Sequence, residues 1–173
     1  MKNLILGGTR SGKSQYAEQL AIAGGKQLVY IATAYIGDNE MLERIGLHRS
    51  RRSAAWQLVE EPIDLAGALA QHSSATHCVL VDCVTLWLSN VLHESGNADI
   101  QTRIDALCHA VRSAEGEVIL VSAEVGLGVI PANALARRYA DLLGLLNQQL
   151  AERCDEVTLV VAGLPHKLKT QED

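Results

Sequence analysis

Phenylalanine is absent from this chain of 173 residues, and aromatic side chains make up only 3% of it. The core must therefore be assembled from Leu, Val, Ile and Ala, which favours a parallel sheet covered on both faces. Positive charge is also scarce: 15 Lys and Arg against 20 Asp and Glu leave a net charge of -5 and a pI near 5.7. That balance argues against a nucleic-acid partner, whose backbone demands a basic footprint. A small phosphorylated ligand remains compatible, because it needs only local positive charge. No apolar run approaches the ~20 residues that cross a bilayer, and Met1 to Gly8 lacks the regions of a signal peptide. The cysteines Cys78, Cys83, Cys108 and Cys154 show no paired metal-ligand spacing, and three of them lie in apolar runs. They read as reduced core residues of a cytoplasmic protein. No repeat, linker or low-complexity segment interrupts the chain, so residues 1–173 are expected to form a single nucleotide-binding domain with a frayed polar tail from Lys167 to Asp173.

What the chain does have is Gly7-Gly8-Thr9-Arg10-Ser11-Gly12-Lys13-Ser14, which fits the phosphate-loop pattern G-x-x-x-x-G-K-[ST] without a mismatch. Each residue type answers a demand of a polyphosphate. Gly7 and Gly12 can take backbone angles closed to other residues, so successive amides turn inward to cradle phosphate oxygens. Lys13 brings a mobile cation to the outer phosphates, and the Ser14 hydroxyl suits the shell of a phosphate-bound magnesium ion. The flanks agree: Asn3 to Leu6 is a short apolar run, and Tyr16, Ala17, Leu20 and Ala21 follow at helical spacing.

Apolar runs that read as strands recur at Asn3 to Leu6, Gln27 to Thr33, Cys78 to Val81, Glu117 to Ser122 and Val157 to Ala162, with a further short one at Trp56 to Val59. Helical periodicity lies between them, which predicts a doubly wound α/β domain. The strongest helix runs from Asn133 to Arg153, with Leu135, Tyr139, Leu142, Leu143, Leu146 and Leu150 on one stripe and Asn133 as its cap. A phosphate loop calls for an acidic partner at the end of another buried strand, and Asp82, closing Val79-Leu80-Val81, fits; its bland alternative is a helix cap. The segment Asp38 to Arg52 reads as a basic helix on which Glu40, Arg44 and His48 share a face, with Arg49, Arg51 and Arg52 beside them. A neutral imidazole among guanidinium groups can attack a nucleotide phosphorus, although a lone helical histidine is more often structural.

These stretches, together with Ile31-Ala32-Thr33-Ala34, Trp56 to Pro62, Val81-Asp82-Cys83-Val84-Thr85, Glu124-Val125-Gly126 to Pro131 and Asn147-Gln148, carry a resemblance over nearly the whole chain. The chain resembles the bifunctional adenosylcobinamide kinase/adenosylcobinamide-phosphate guanylyltransferase family of cobalamin biosynthesis. The resemblance implies a phosphate-loop NTPase with a RecA-like, mostly parallel sheet, helices on both faces and a homotrimeric assembly. It implies two reactions: ATP or GTP phosphorylates the aminopropanol hydroxyl of adenosylcobinamide, and GTP then donates GMP to that phosphate with release of pyrophosphate. It further implies a guanylylated histidine, here His48, and nucleotide contacts at Ala32, Thr33, Ala34, Arg49, Ser50, Arg51, Arg52, Glu61 and Asp82, with magnesium as cofactor near Ser14 and Asp82. Glu61, read from the residues alone, is a solvated acid before Pro62.

Two departures stand out. Ala123 occupies a position where the family usually has Asn, and Ser53 one where Pro is common. Competing readings are a kinase with only the first activity and a regulatory GTPase or RecA-type motor; an N-K-x-D guanine motif is absent. The phosphate donor, the corrinoid surface and the proton acceptor of the kinase step stay open at this stage.

Overall fold

The computed structural model describes residues 1–34, 56–95 and 99–171. Seven strands form one sheet: β1 (Lys2–Gly7), β2 (Gln27–Ala32), β3 (Trp56–Glu60), β4 (His77–Asp82), β5 (Glu117–Ala123), β6 (Glu156–Val161) and β7 (Leu164–Lys169). Their order across the sheet is β3-β2-β4-β5-β1-β6-β7. Every pairing is parallel except that of β6 with β7. The expected α/β architecture is present, and the short run at Trp56 forms the edge strand β3.

The strands show why so many apolar residues recur without interruption. Successive side chains point to opposite faces, so a strand buried on both sides is apolar at most positions rather than at alternate ones. On one face Ile5, Tyr30, Leu80, Ile119 and Val121 pack with Ala17 and Ala21 of α1 (Lys13–Ala23). On the other, Leu4, Leu6, Ile31, Val81 and Leu120 meet α2 (Leu65–His72), α3 (Val84–Ser95), α4 (Ile100–Ser113) and α5 (Ala134–Arg153). Small alanines let α1 lie close to the sheet. With no phenylalanine in the chain, Trp87 is the bulkiest fully buried side chain, and its indole N–H donates to the Ile63 carbonyl at 2.8 Å. Burying that indole without a partner would cost a hydrogen bond.

Helix α5 starts behind Asn133, whose Oδ1 accepts from the amides of Leu135 and Ala136 at 2.8 and 3.2 Å. Leu143, Leu146 and Leu150 are buried as the periodicity requires, but Leu135 is 67% exposed. The helix has 20 residues, about 30 Å, while strands of six or seven residues span about 20 Å, so its first turns overhang the sheet. The tail also differs from expectation. Lys167 to Lys169 belong to β7, and Lys169 Nζ donates to the Ala151 and Cys154 carbonyls at 3.0 and 2.7 Å, tying the strand to the end of α5.

All four cysteines are free thiols. Burial pushes the thiols of Cys78 and Cys154 up to about 12. Protons held by the folded state and released by the unfolded chain make stability fall as pH rises. The contribution is complete below the unfolded thiol pKa near 9 and is lost towards 12. We expect urea-derived stability to be flat from pH 7 to 8.5 and to drop by about 1.4 kcal/mol per thiol at pH 10. Cys78→Ala should flatten part of that drop; an unchanged slope would count against this account.

Candidate active site

Strands β1, β2, β4 and β5 all end on one edge of the sheet, and in open parallel sheets ligands bind in the crevice beyond that edge. The phosphate loop lies there between β1 and α1, which directs the positive end of the helix dipole at the loop. Gly12 has φ 94° and Arg10 φ 57°, both in the left-handed region. At Gly7 a Cβ would stand 2.5 Å from Ser11 Oγ and 2.6 Å from the Val160 carbonyl, so only glycine fits. Ser11 is the loop's internal brace: its amide donates to the Gly8 carbonyl at 3.3 Å, and its Oγ accepts from the Lys13 amide at 3.4 Å. Lys13 Nζ donates to the Gly8 carbonyl at 3.1 Å, which holds the ammonium over the loop.

A further brace comes from a distant part of the chain. Ala162 and Gly163, with φ 51° and 80°, form the turn between β6 and β7, and the Gly163 amide donates to the Ser11 carbonyl at 2.8 Å. Two left-handed residues are the signature of a tight hairpin whose twist matches its strands. The Ala-Gly pair after an apolar run was the available signal for this hairpin.

The second group of residues gathers at the ends of β2, β3 and β4. Asp82 pairs in register with Ala32 and with Val121, and the Tyr30 hydroxyl donates to its Oδ2 at 2.8 Å. Thr33 is fully buried; its Oγ1 donates to the Cys83 carbonyl at 2.7 Å and accepts from the Cys83 amide at 2.9 Å. Asn90 Nδ2 donates to the Thr33 carbonyl at 2.7 Å and the Pro62 carbonyl at 3.1 Å. Glu61 joins through its amide, which donates to the Ala32 carbonyl at 2.9 Å. Its carboxylate is not simply solvated: Oε1 accepts from the amides of Ile63 and Asp64 at 2.9 and 2.8 Å, shaping the turn into α2. Ala34 follows Thr33 directly. Thus Gly7 to Ser14 stand on one side of β5, and Ala32, Thr33, Glu61 and Asp82 on the other. His48, Arg49, Ser50, Arg51 and Arg52, with Ser53, lie outside the described residues.

Cys83 follows Asp82 directly and holds Thr33 through its backbone. Burial, then the Asp82 charge, pushes its thiol up to about 11, with the Lys13 ammonium among the opposing influences. At neutral pH its sulfur therefore carries its proton.

Sequence reasoning assigned no role to a polar network under the crevice. Ser122 Oγ donates to Asn147 Oδ1 at 2.7 Å, and Asn147 Nδ2 donates to the Ala123 carbonyl at 3.1 Å and to Glu124 Oε1 at 3.0 Å. Thr85 Oγ1 accepts from the Ala123 amide at 2.7 Å, and the Tyr139 hydroxyl donates to the Thr85 carbonyl at 2.8 Å. At the departing position 123, the backbone therefore takes both polar contacts. The available signal was Asn147 itself, a polar residue adjoining the Leu143, Leu146 and Leu150 stripe.

Among the described residues no group of three His, Cys, Asp or Glu side chains is placed to hold a metal, and no helix is long and apolar enough to cross a membrane.

Comparison with known proteins agrees with this geometry. Solved structures share the fold: the flagellar accessory protein FlaH from Methanocaldococcus jannaschii superposes with a TM-score of 0.55 at 11% identity, covering 99% of this chain and 79% of that one. The RadB recombinase gives 0.51 at 18% identity, over 91% and 73%. The sequence is 50% identical over 169 residues to the bifunctional adenosylcobalamin biosynthesis protein CobP of Pseudomonas aeruginosa, covering 98% of each. It is 38% identical over 182 residues to the bifunctional adenosylcobalamin biosynthesis protein CobU of Escherichia coli, covering 98% of this chain and 100% of that protein. A model of the cobinamide kinase / cobinamide phosphate guanyltransferase family matches residues 3–168. With a phosphate loop, a facing acidic strand and a family match along almost its entire length, this chain belongs to the cobinamide kinase / cobinamide phosphate guanyltransferase family.

Proposed function

We propose that this protein phosphorylates the aminopropanol hydroxyl of adenosylcobinamide with ATP or GTP, then transfers GMP from GTP to the new phosphate and releases pyrophosphate. The observation that carries the reading is the intact phosphate loop between β1 and α1, with Asp82 across β5 at the same sheet edge. In the first reaction the loop amides and Lys13 hold the triphosphate, so its terminal phosphoryl faces the acceptor hydroxyl. In the second, the same loop takes the outer phosphates of GTP, which become the leaving pyrophosphate, while His48 attacks the α-phosphorus. The P–N bond forms as the bond to pyrophosphate breaks; the acceptor phosphate then displaces the imidazole. Arg49, Arg51 and Arg52 stabilise the charge on the phosphoryl oxygens, and Glu61 offers its remaining oxygen to guanine donors.

Ser14 and Asp82 fit magnesium: a hydroxyl and a carboxylate are hard oxygen donors, and this ion takes most of its shell from phosphates and water. The Tyr30 hydroxyl fixes the Asp82 carboxylate for that task. With magnesium bound, the phosphate charges are screened and the triphosphate is held in one conformation.

We place the protein in the cytoplasm, where its four thiols stay reduced, with small-molecule partners and no nucleic acid. We further infer a homotrimer; Leu127, Val129 and Ile130, 77%, 93% and 80% exposed, supply apolar surface for a subunit or the large corrinoid to cover. Light scattering on the purified protein tests the assembly.

The test of the chemistry is incubation with magnesium and GTP labelled on the α-phosphate. An acid-labile, alkali-stable protein label is expected from the wild type and none from His48→Ala. Tight GTP binding without any label would leave a kinase with the first activity alone.

A further inference from the structure

We infer that Glu124 is the catalytic residue that takes the proton of the acceptor hydroxyl in the kinase reaction, with Asn147 as its positioning residue. The inference rests on the kinase reading above. Topology makes the first argument. Strand β5 runs between β1 and β4, so a ligand that reaches from Lys13 and Ser14 to Asp82 must cross the end of β5. Glu124 is the first residue past that end, and its amide donates to the Gly7 carbonyl at 3.4 Å, against the start of the phosphate loop.

The Glu124 side chain is also anchored from below. Asn147 is 4% exposed, held by Ser122, and turns Nδ2 towards Glu124 Oε1 at 3.0 Å. A buried amide with its other hydrogen bonds already made is a rigid support. It orients the carboxylate without a cation to neutralise it, and Oε2 has no hydrogen-bond partner among the described residues. A half-buried carboxylate with one oxygen fixed and one open is the arrangement a proton acceptor requires.

The neighbouring carboxylates are less suited. Asp82 is level with Val121, three residues short of Glu124 along β5 and so about 10 Å lower in the sheet. Glu61 follows the edge strand β3, and its Oε1 is taken by the amides of Ile63 and Asp64.

The step balances simply. The hydroxyl oxygen forms a bond to the γ-phosphorus as the bond to the bridging oxygen breaks; the nucleoside diphosphate leaves with that electron pair, and the hydroxyl proton passes to Glu124.

The experiment compares wild type, Glu124→Gln and Glu124→Asp in phosphorylation of adenosylcobinamide by ATP, and in guanylyl transfer from GTP to adenosylcobinamide phosphate. Gln keeps an oxygen for Asn147 but accepts no proton. We expect kcat for phosphorylation to fall about 100- to 10,000-fold in Glu124→Gln with KM for ATP nearly unchanged, and Glu124→Asp to recover part of it. Guanylyl transfer should stay within a few-fold of wild type. Phosphorylation within a few-fold of wild type in Glu124→Gln, or an equal fall of both reactions, overturns the assignment. Should Glu124→Gln fail to fold, Glu124→Asp at the full wild-type kcat and KM would overturn it equally. A wild-type protein that makes no adenosylcobinamide phosphate overturns the kinase reading itself, and this assignment with it.

Discussion

Lys13→Ala is expected to lower both cobinamide phosphorylation and guanylyl transfer by about 100- to 1,000-fold, the usual cost of removing one preorganised donor from developing phosphoryl charge. The geometry supports a common effect. Lys13 Nζ sits over the loop on the Gly8 carbonyl, and the described site presents this one phosphate cradle. The fold should persist, because the side chain's hydrogen bond is to the loop itself and the core contacts of α1 are made by Ala17 and Ala21. Thermal unfolding of the variant should therefore match wild type to within a few degrees, while nucleotide affinity falls. Lys13→Arg keeps the charge but replaces a compact ammonium with a broad planar fork, so only partial recovery is expected. Loss of one reaction alone, with the other at its wild-type rate, would show that the two triphosphates use different cradles.

The second large effect separates the reactions that Lys13 joins. His48→Ala should reduce guanylyl transfer by about 10,000-fold or more, since removal of a covalent nucleophile leaves only binding and charge stabilisation. Phosphorylation should continue within a few-fold of wild type, because direct transfer to a hydroxyl needs no enzyme-bound intermediate. Rate measurements on each half-reaction, with circular dichroism to verify the fold, decide the matter. An equal fall of both rates in a folded variant would give His48 a shared binding role. Together the two variants separate a shared role from a specific one: Lys13 serves both reactions and His48 one.

Legibility followed physical locality. The phosphate loop could be read because its demands are met by eight consecutive residues, and the backbone angles of Gly12 are imposed within that stretch. Strands β1, β2, β4, β5 and β6 could be read because burial on both faces makes most of their residues apolar, with Asn3, Ser122 and Thr158 as buried polar exceptions. Strand β7 was missed because Leu-Pro-His-Lys-Leu-Lys alternates weakly and five of its six residues are exposed; its order comes from pairing with β6 and from Lys169 at the end of α5. Leu135 was misplaced because periodicity identifies a helical face and not how far the sheet beneath it extends.

The phosphate-loop pattern at Gly7 to Ser14, the aliphatic core and the place of Asp82 at the end of a buried strand were all legible from the sequence, since each depends on residues adjacent in the chain. Only the tertiary structure decided that β5 separates β1 from β4, that the Ala162–Gly163 turn braces Ser11, and that Asn147 reaches Glu124 across 23 positions. Those facts depend on strand order and on which helix covers which face. Order and coverage follow from burying the whole aliphatic surface at once, a global condition that no local stretch of residues expresses.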